Sequence, residues 1–173
     1  MRKVIYGGAC SLDGFLTDRA GAVDWLHFSK DAQKIMAGTW ATADTILFGR
    51  KTFEAAAAQG GAGAMKGVSA YLMSRTLSKS PATGVELVSS DAGEFVRTLK
   101  SKPSKDIIVM SGGNLASSLL RAGVVDEIGF NIHPVLLGAG VPAFLDTGSR
   151  IKLELIESRP LDGGCVLVMY RVH

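Results

Sequence analysis

Three positions in the sequence place residues that could bind a phosphorylated ligand directly after an apolar, strand-like run. At the first, residues 45–48 lead into Gly49, and Arg50, Lys51 and Thr52 then open a helical pattern. Gly49 has no side chain to keep a ligand away, and the free N–H groups at a helix start favour an anion. We therefore predict a phosphate site here, with an ordinary strand-to-helix turn bearing solvated charges as the alternative.

The second position follows residues 107–110, where Gly112 and Gly113 precede a helical pattern that begins with Asn114 and Leu115. Two glycines permit backbone conformations that are closed to other residues, and they can present N–H groups to a pyrophosphate. The spacing is not the G-x-G-x-x-G fingerprint, and no acidic residue follows about twenty residues later to bind a ribose. A conventional Rossmann dehydrogenase is therefore not expected.

The third position is formed by Ser74 and Arg75, which follow the strand-like run 70–73. A guanidinium group can bind a phosphate through two hydrogen bonds or stack on a flat ring, although Arg75 could also simply face solvent. Arg50 and Arg75, at neighbouring strand ends, would together suit a 2′-phosphate. This pair favours NADPH over NADH as the ligand.

Strand-like and helical patterns alternate along the chain and must position these residues. Ser29 and Asp91 are candidate N-caps, and further helical patterns follow Gly49 and Gly113. Such an order predicts a parallel sheet, whereas the stretch Pro160-Leu-Asp-Gly-Gly predicts a hairpin. The predicted fold is α/β, an eight-stranded, mixed, mostly parallel sheet with flanking helices and a C-terminal antiparallel hairpin. Its strands are expected at residues 4–9, 45–48, 70–73, 85–88, 107–110, 128–132, 151–157 and 165–170.

Length and composition indicate a single domain over residues 1–173. A hydrophobic content of 47% suffices for one core, and no apolar stretch approaches the roughly 20 residues of a membrane span. The opening residues resemble a strand rather than a signal peptide, so we expect a cytoplasmic protein that binds no membrane. The net charge of +3 comes from scattered Lys and Arg with only 7% aromatic residues, which argues against nucleic acid and favours a phosphorylated small ligand.

Cysteine and histidine are too dispersed in the sequence to predict a metal site. Cys10 and Cys165 each lie in an apolar run and are expected to be buried thiols. The Gly-rich stretch 60–64 is expected to be a flexible surface loop, with phosphate binding as the weaker alternative.

Five motifs, taken in order, resemble a known superfamily over nearly the whole chain. The sequence is similar to dihydrofolate reductase and, more closely, to the C-terminal reductase domain of bifunctional riboflavin-biosynthesis deaminase/reductases. The motifs are Ala9-Cys-Ser-Leu-Asp-Gly-Phe-Leu, Phe48-Gly-Arg-Lys-Thr-Phe-Glu, Leu72-Met-Ser-Arg-Thr, Met110-Ser-Gly-Gly-Asn-Leu, and Val125-Asp-Glu-Ile followed by His133-Pro-Val-Leu-Leu-Gly-Ala-Gly.

The resemblance implies NADPH lying across the strand ends and a reductase that passes its hydride to a small heterocycle of pterin or pyrimidine type. By the same resemblance, backbone atoms of Ala9 and Leu16 would hold the nicotinamide. The phosphates would be held from one side by Gly49, Arg50, Lys51 and Thr52. The adenosine and its 2′-phosphate would be held by Ser74 and Arg75. The pyrophosphate would be held from the other side by Gly112, Gly113, Asn114 and Leu115.

Two departures from the riboflavin-pathway reductases fall on the substrate side. Phe15 stands where those enzymes typically have Lys, and Ser111 stands where they have Glu before the glycine pair. Asp31 is the candidate catalytic proton donor, although a carboxylate at a helix start can also simply be favoured by the helix dipole. The candidate substrate residues are Asp13, which could instead only form a turn, and Trp25, Phe28 and Phe53.

Two other functions remain open from the sequence. The chain could be a ligand-binding dimer that keeps an NADPH cleft but has lost catalysis, because the expected lysine and acid are missing. It could also be a mainly structural dimer, built on the apolar segment 134–141. Because the relatives commonly pair, a homodimer is expected in every case.

Overall fold

An eight-stranded mixed sheet organises the residues that a computed structural model describes, 2–58 and 65–173. The predicted Gly-rich loop at residues 60–64 lies outside this range. The strands are β1 (Val4–Ser11), β2 (Phe15–Thr17), β3 (Ala43–Gly49), β4 (Ser69–Met73), β5 (Val85–Val88), β6 (Asp106–Met110), β7 (Glu127–His133), β8 (Val141–Pro142), β9 (Leu153–Pro160) and β10 (Val166–Val172). The helices are α1 (Lys30–Thr42), α2 (Arg50–Ala58), α3 (Ala92–Lys100) and α4 (Gly113–Arg121).

The sheet has the order β5-β4-β3-β6-β1-β7-β10-β9. Its first six strands pair in parallel, and β10 is antiparallel to both β7 and β9. The predicted α/β fold with a C-terminal antiparallel hairpin is therefore confirmed. Strands β2 and β8 form a separate two-stranded sheet that the sequence analysis missed, because runs of three and two residues are too short to show periodicity.

Local capping signals fix where the helices begin and end. Ser29 Oγ accepts the N–H of Ala32 at 3.1 Å, and Asp91 Oδ1 accepts the N–H of Glu94 at 3.0 Å. These two bonds satisfy N–H groups that have no partner within the helix. After α4, Gly123 adopts a φ of +63°, which ends the helix in a conformation that favours glycine.

Helices cover both faces of the sheet, but not equally well. Helices α3 and α4 bury Val96, Leu99 and Leu119 against β1 and β6, and α2 buries Phe53 against β3 and β4 on the opposite face. Helix α1 lies on the same face as α2, with Ile35 packed against the Leu167 cluster, yet it has no fully buried residue. Helix α1 therefore covers the sheet with half-buried side chains only.

Candidate functional site

The carboxyl ends of β1 and β6 separate, and the gap between them is the first part of the site. These strands pair in parallel only from Val4↔Ile107 to Tyr6↔Val109, whereas β1 continues to pair with β7 as far as Ser11. A Cβ atom built on Gly8 would meet no atom within 4 Å. We call this space, bounded by residues 8–9 and 110–111, the slot. Ligands in open α/β sheets gather at such strand ends.

A cleft of about 230 Å³ between β4, α3 and α4 is the second part of the site. It brings together four residues predicted to bind the cofactor from two distant parts of the chain. The described residues that line it are Ser74, Arg75, Asn114 and Leu115, together with Met73, Val88, Ser90, Asp91, Ala92 and Ser118. Only two residues of chain separate Asn114 in the cleft from Ser111 at the slot, so the two spaces adjoin along the start of α4.

The start of α4 presents backbone N–H groups without a side-chain cap. The two glycines at this helix start were predicted to adopt backbone conformations closed to other residues. The structure differs, because Gly112 has an ordinary φ of −77° and neither Gly112 nor Gly113 has a positive φ. A Cβ atom on Gly113 would lie 2.9 Å from both Leu145 Cγ and the Pro142 carbonyl oxygen. Close packing of residues 141–145, rather than an unusual backbone conformation, therefore requires glycine at Gly113.

The start of α2 lies beside the end of β4. Arg50 Nη1 donates to Thr76 Oγ1 at 3.0 Å, while its Nε is paired with the Glu54 carboxylate at 2.7 Å. Ser74 Oγ accepts the N–H groups of Thr76 and Leu77, both at 3.3 Å. In the same first turn of α2, Lys51 is exposed and Thr52 is half-buried.

Gly49, at the end of β3, lies against Ser111. A Cβ atom at Gly49 would be 3.0 Å from Ser111 Cβ. The missing side chain therefore allows two strand ends to approach each other, rather than leaving room for a ligand where a Cβ atom would stand. Ser111 is 5% exposed, and its Oγ has no hydrogen-bond partner.

Asp13 is held within the loops beside the slot. Its Oδ1 accepts from Ser11 Oγ at 2.6 Å, and its Oδ2 accepts the N–H of Gly138 at 2.8 Å. The bond from Ser11, helped by N–H donors of Gly138 and Leu137, holds the pKa of the Asp13 carboxyl below its usual range. The adjoining Gly14 has a φ of +83° and closes a turn onto the Ser11 carbonyl. Asp13 thus fastens this turn to the segment that follows β7.

An aromatic and histidine cluster lies at the end of β7. The rings of Trp25 and His133 meet edge to face, with centroids 5.3 Å apart, and Trp25 Nε1 is buried without a partner. His133 is buried; its Nε2 accepts the His27 N–H at 3.0 Å, and its Nδ1 lies 3.2 Å from the Asn131 carbonyl oxygen. Both ring nitrogens are therefore engaged, which fixes the Nδ1–H tautomer.

The other predicted substrate and catalytic residues lie at different depths. Phe28 is 68% exposed at the start of α1. Asp31 Oδ2 accepts the N–H of Asp162 at 3.4 Å, so this carboxylate reaches the turn between β9 and β10. Phe53 is 2% exposed and packs in the core against Phe48, with ring centroids 5.4 Å apart. Core packing, rather than a surface that faces the slot, accounts for Phe53.

The two predicted nicotinamide residues lie on different elements. Ala9 is half-buried and lies opposite Asn131 in the register of β1 and β7. Leu16 belongs to β2 and packs against the core on the side of α3 and α4.

Unsatisfied polar groups mark a residue that the sequence analysis missed. Among the described residues, the buried side-chain atoms without a hydrogen-bond partner are Trp25 Nε1, Ser111 Oγ and Asn131 Oδ1. Buried polar groups are normally paired, so each such atom needs an explanation. The available signal for Asn131 was a lone amide within the apolar run 128–132. Within residues 2–58 and 65–173, no group of three or more His, Cys, Asp or Glu could hold a metal ion.

Residues 2–167 match the family model described as the RibD C-terminal domain. The chain belongs to this family. The chain is also similar to the uncharacterized protein YyaP of Bacillus subtilis (strain 168). The two are 31% identical, and the match covers 98% of this chain and 94% of YyaP. YwjB of the same organism is 26% identical, with 89% of each chain covered.

Solved structures show that the RibD C-terminal domain fold extends over the whole chain. A putative riboflavin biosynthesis protein from Shewanella sp. PV-4 has a TM-score of 0.85 at 23% identity, covering 100% of this chain and 99% of the other. Acinetobacter baumannii RibD has a TM-score of 0.75 at 18% identity, and the match spans 100% of this chain and 58% of that protein. Dihydrofolate reductase from Enterococcus faecalis, complexed with NADP(H) and RAB-propyl, has a TM-score of 0.73 at 15% identity over 99% and 96% of the two chains.

These likenesses confirm the predicted dihydrofolate reductase-like fold. The RibD C-terminal domain and dihydrofolate reductase are both reductase folds, so the chain has the fold of an oxidoreductase. In the part of the chain that the structure describes, no helix is both long and apolar enough to cross a membrane.

Proposed function

We propose that this protein is an NADPH-dependent reductase that transfers a hydride to a small, flat heterocycle of pterin or pyrimidine type. The observation that carries the proposal is the slot between the ends of β1 and β6, open beside Gly8 and adjoining the cleft that contains Arg75. A planar ring could enter the slot while a phosphorylated tail follows the start of α4.

The residues around both spaces fit a phosphorylated dinucleotide. Arg75 supplies a cation in the cleft, the uncapped start of α4 supplies N–H donors, and Ser111 Oγ is a buried hydroxyl that lacks a partner. Asp91 adds a carboxylate to the cleft, although its Oδ1 is occupied by the N–H of Glu94. The fit supports a dinucleotide and does not depend on a Rossmann fingerprint.

NADPH, when bound, supplies the hydride, and the chain's own residues supply position and electrostatics. Arg75 and Ser74 would hold the phosphorylated adenosine end, and the N–H groups of α4 the pyrophosphate. Backbone atoms of Ala9 and Leu16 would orient the ring in the slot. These contacts would hold the reacting ring beside the face of the sheet that α1 covers only loosely.

A proton must also reach the reduced substrate, and the two candidate carboxylates differ. Asp13 is a poor donor because Ser11 Oγ and the Gly138 N–H already bind its two carboxylate oxygens, and the bond from Ser11 above all holds its pKa below the usual range. We propose Asp31 as the donor, either directly or through water. Asp31→Asn should lower kcat while leaving NADPH affinity unchanged.

The substrate would lie beneath α1. Trp25 and Phe28 precede this helix, which covers the sheet without any fully buried side chain. The exposed Phe28 ring would gain cover from a bound heterocycle.

Titration with NADPH and, separately, NADH tests the proposal directly, with Trp25 and Trp40 as fluorescence donors. The expected result is tighter binding of NADPH, followed by NADPH oxidation when a dihydropterin or a pyrimidine is added. Tight binding with no turnover of any acceptor would instead support a ligand-binding dimer without catalysis. If neither nucleotide binds, both functions fail.

The partner we propose is a second copy of the chain, paired through the outer hairpin of the sheet. Leu153 and Leu155 of β9 are 46% and 53% exposed, and their register partners Val172 and Tyr170 lie on the same face. The charged pair Glu154 and Arg171 occupies the opposite face. The apolar face of this edge hairpin would therefore be covered in a homodimer.

A further inference from the structure

The side chain of Asn131 is the strongest unexplained polar feature of the candidate substrate side. Its Oδ1 is fully buried and receives no hydrogen bond from any described residue. The amide lies in the middle of β7, where a strand surrounded by others would normally carry an apolar side chain. An amide kept in such a place indicates a partner that comes from outside the chain.

Strand register shows which way Asn131 faces. It lies opposite Ala9 on β1 and opposite Leu167 on β10, and register partners share a face. Leu167 belongs to the cluster that receives Ile35 of α1. Asn131 therefore lies on the face of the sheet that α1 covers, next to the predicted nicotinamide residue Ala9.

Two neighbouring polar side chains on this face are already engaged. His133, two residues along β7 on the same face, uses Nε2 for the His27 N–H and Nδ1 for the backbone carbonyl of Asn131. Ser11, opposite His133, donates to Asp13 and accepts the N–H of Phe15. Trp25 Nε1, on the ring that packs against His133, is buried without a partner and makes no hydrogen bond to Asn131, so Asn131 Oδ1 is left without a donor from the described residues.

We infer that Asn131 determines specificity by binding the lactam edge of the substrate heterocycle; this inference rests on the proposed function and deepens it. A primary amide offers one acceptor and two donors in a plane. It matches a cyclic –C(=O)–NH– group, because Oδ1 accepts the ring N–H while Nδ2 donates to the adjacent carbonyl. Pterins and pyrimidinediones both carry this edge, so the shared chemistry is the lactam.

The test applies the same substitution to both asparagines of the chain. Asn131→Leu and Asn114→Leu are titrated calorimetrically with NADPH, with 6-methylpterin and 5,6-diaminouracil, and with 5,6-diamino-1,3-dimethyluracil, whose ring nitrogens carry no hydrogen. Asn131→Leu should weaken binding of at least one lactam probe by about tenfold or more and leave NADPH affinity within about twofold. Asn114→Leu, on the cleft side, should weaken NADPH binding and leave the affinity for the lactam probes unchanged. The dimethylated probe should bind weakly to every variant.

Stability of the ligand-free protein gives an independent readout. Replacing a buried, unsatisfied amide by an apolar side chain of similar shape should raise the melting temperature, whereas a residue kept for structure should lower it. Asn131→Asp keeps the size and shape of the side chain but introduces an ionisable group at a buried position, so its melting curve is measured first to establish that it folds; it is then the second variant should the leucine fail to pack. It loses the N–H that donates to the lactam carbonyl, and should also weaken binding of the lactam probes.

Three results would overturn the inference. The first is that the lactam probes bind both Asn131 variants as tightly as they bind the parent. The second is that the parent protein binds neither lactam probe. The third is that the Asn131 variants lose as much affinity for NADPH as for the probes. The probe titrations can be made without nucleotide. A chain that binds lactams through Asn131 but does not bind NADPH would therefore refute the proposed reductase while sustaining this inference.

Discussion

Two arginines near the cleft differ in what they already contact. Arg50 is paired with Glu54 and bound to Thr76, whereas Arg75 lines the cleft and is exposed. We expect Arg75→Ala to weaken NADPH binding by about tenfold or more, because a phosphate loses a charge-assisted contact. NADH binding should change little, since that nucleotide lacks the 2′-phosphate. Parallel fluorescence titrations with the two nucleotides measure the difference.

Arg50→Ala is the matched control for this prediction. Part of the Arg50 charge is already offset by Glu54, so its removal should weaken NADPH binding less than the loss of Arg75 does. Equal losses for NADPH and NADH in Arg75→Ala would show that Arg75 stacks on the adenine instead, and no loss for either nucleotide would show that it faces solvent.

The Asp13 carboxylate predicts a pH dependence of stability. Its pKa is below the unfolded value because of the bond from Ser11 and the N–H donors of the following loop. Its stabilising contribution is therefore complete above a pH of about 4 and is lost as the pH falls through the folded pKa. Urea unfolding measured as a function of pH should show that the free energy of unfolding falls less at acid pH in Asp13→Asn than in the parent.

Ser11→Ala tests the cause of that shift. It removes the hydrogen bond that contributes most to the low pKa, so the Asp13 titration followed by NMR should move upward. An unchanged titration would assign the shift to the backbone donors alone.

At the scale of elements, two helical glycines should respond oppositely to the same change. Gly38 lies inside α1, where a Cβ atom would meet nothing within 4 Å, so Gly38→Ala should stabilise the fold by about 0.5–1 kcal/mol. Gly93 lies in α3, where a Cβ atom would come 2.6 Å from Ala122 Cβ, so Gly93→Ala should cost about 1–3 kcal/mol. Chemical denaturation of the two variants checks the signs.

The contrast between these glycines depends on the packing of each helix. Helix α3 packs closely against the end of α4, whereas α1 stands over space proposed for the substrate. If Gly38→Ala destabilises the protein, α1 must be packed more tightly than its lack of buried residues indicates.

At the scale of the whole molecule, the proposed homodimer makes a testable claim about the β9 and β10 hairpin. Leu155→Glu places a charge on the apolar face and should convert a dimer to monomers in analytical ultracentrifugation. Glu154→Gln, on the opposite face, should leave the dimer intact. A parent protein that sediments as a monomer, or a Leu155→Glu variant that remains dimeric, contradicts this interface.

The sequence by itself determined the four helices, the eight strands of the main sheet and their order along the chain, but not the short strands β2 and β8. Capping by Ser29 and Asp91, the left-handed Gly123 and the turn after Pro160 are local signals, and each depends on residues only a few positions apart. The alternation of apolar runs with helical patterns then sufficed for a mostly parallel sheet. The same local reasoning indicated Ser74, Arg75, Asn114 and Leu115, which the fold brings into one cleft.

Only the tertiary structure decided which side chains face that cleft, the slot or the core. Phe53 points into the core, and Gly113 is needed because residues 141–145 pack against it. Asn131 Oδ1 receives no hydrogen bond from the described residues, while His133 and Ser11 beside it are bonded to other parts of the chain. These outcomes depend on contacts between residues far apart in sequence, and the register of neighbouring strands, rather than any local pattern, sets those contacts.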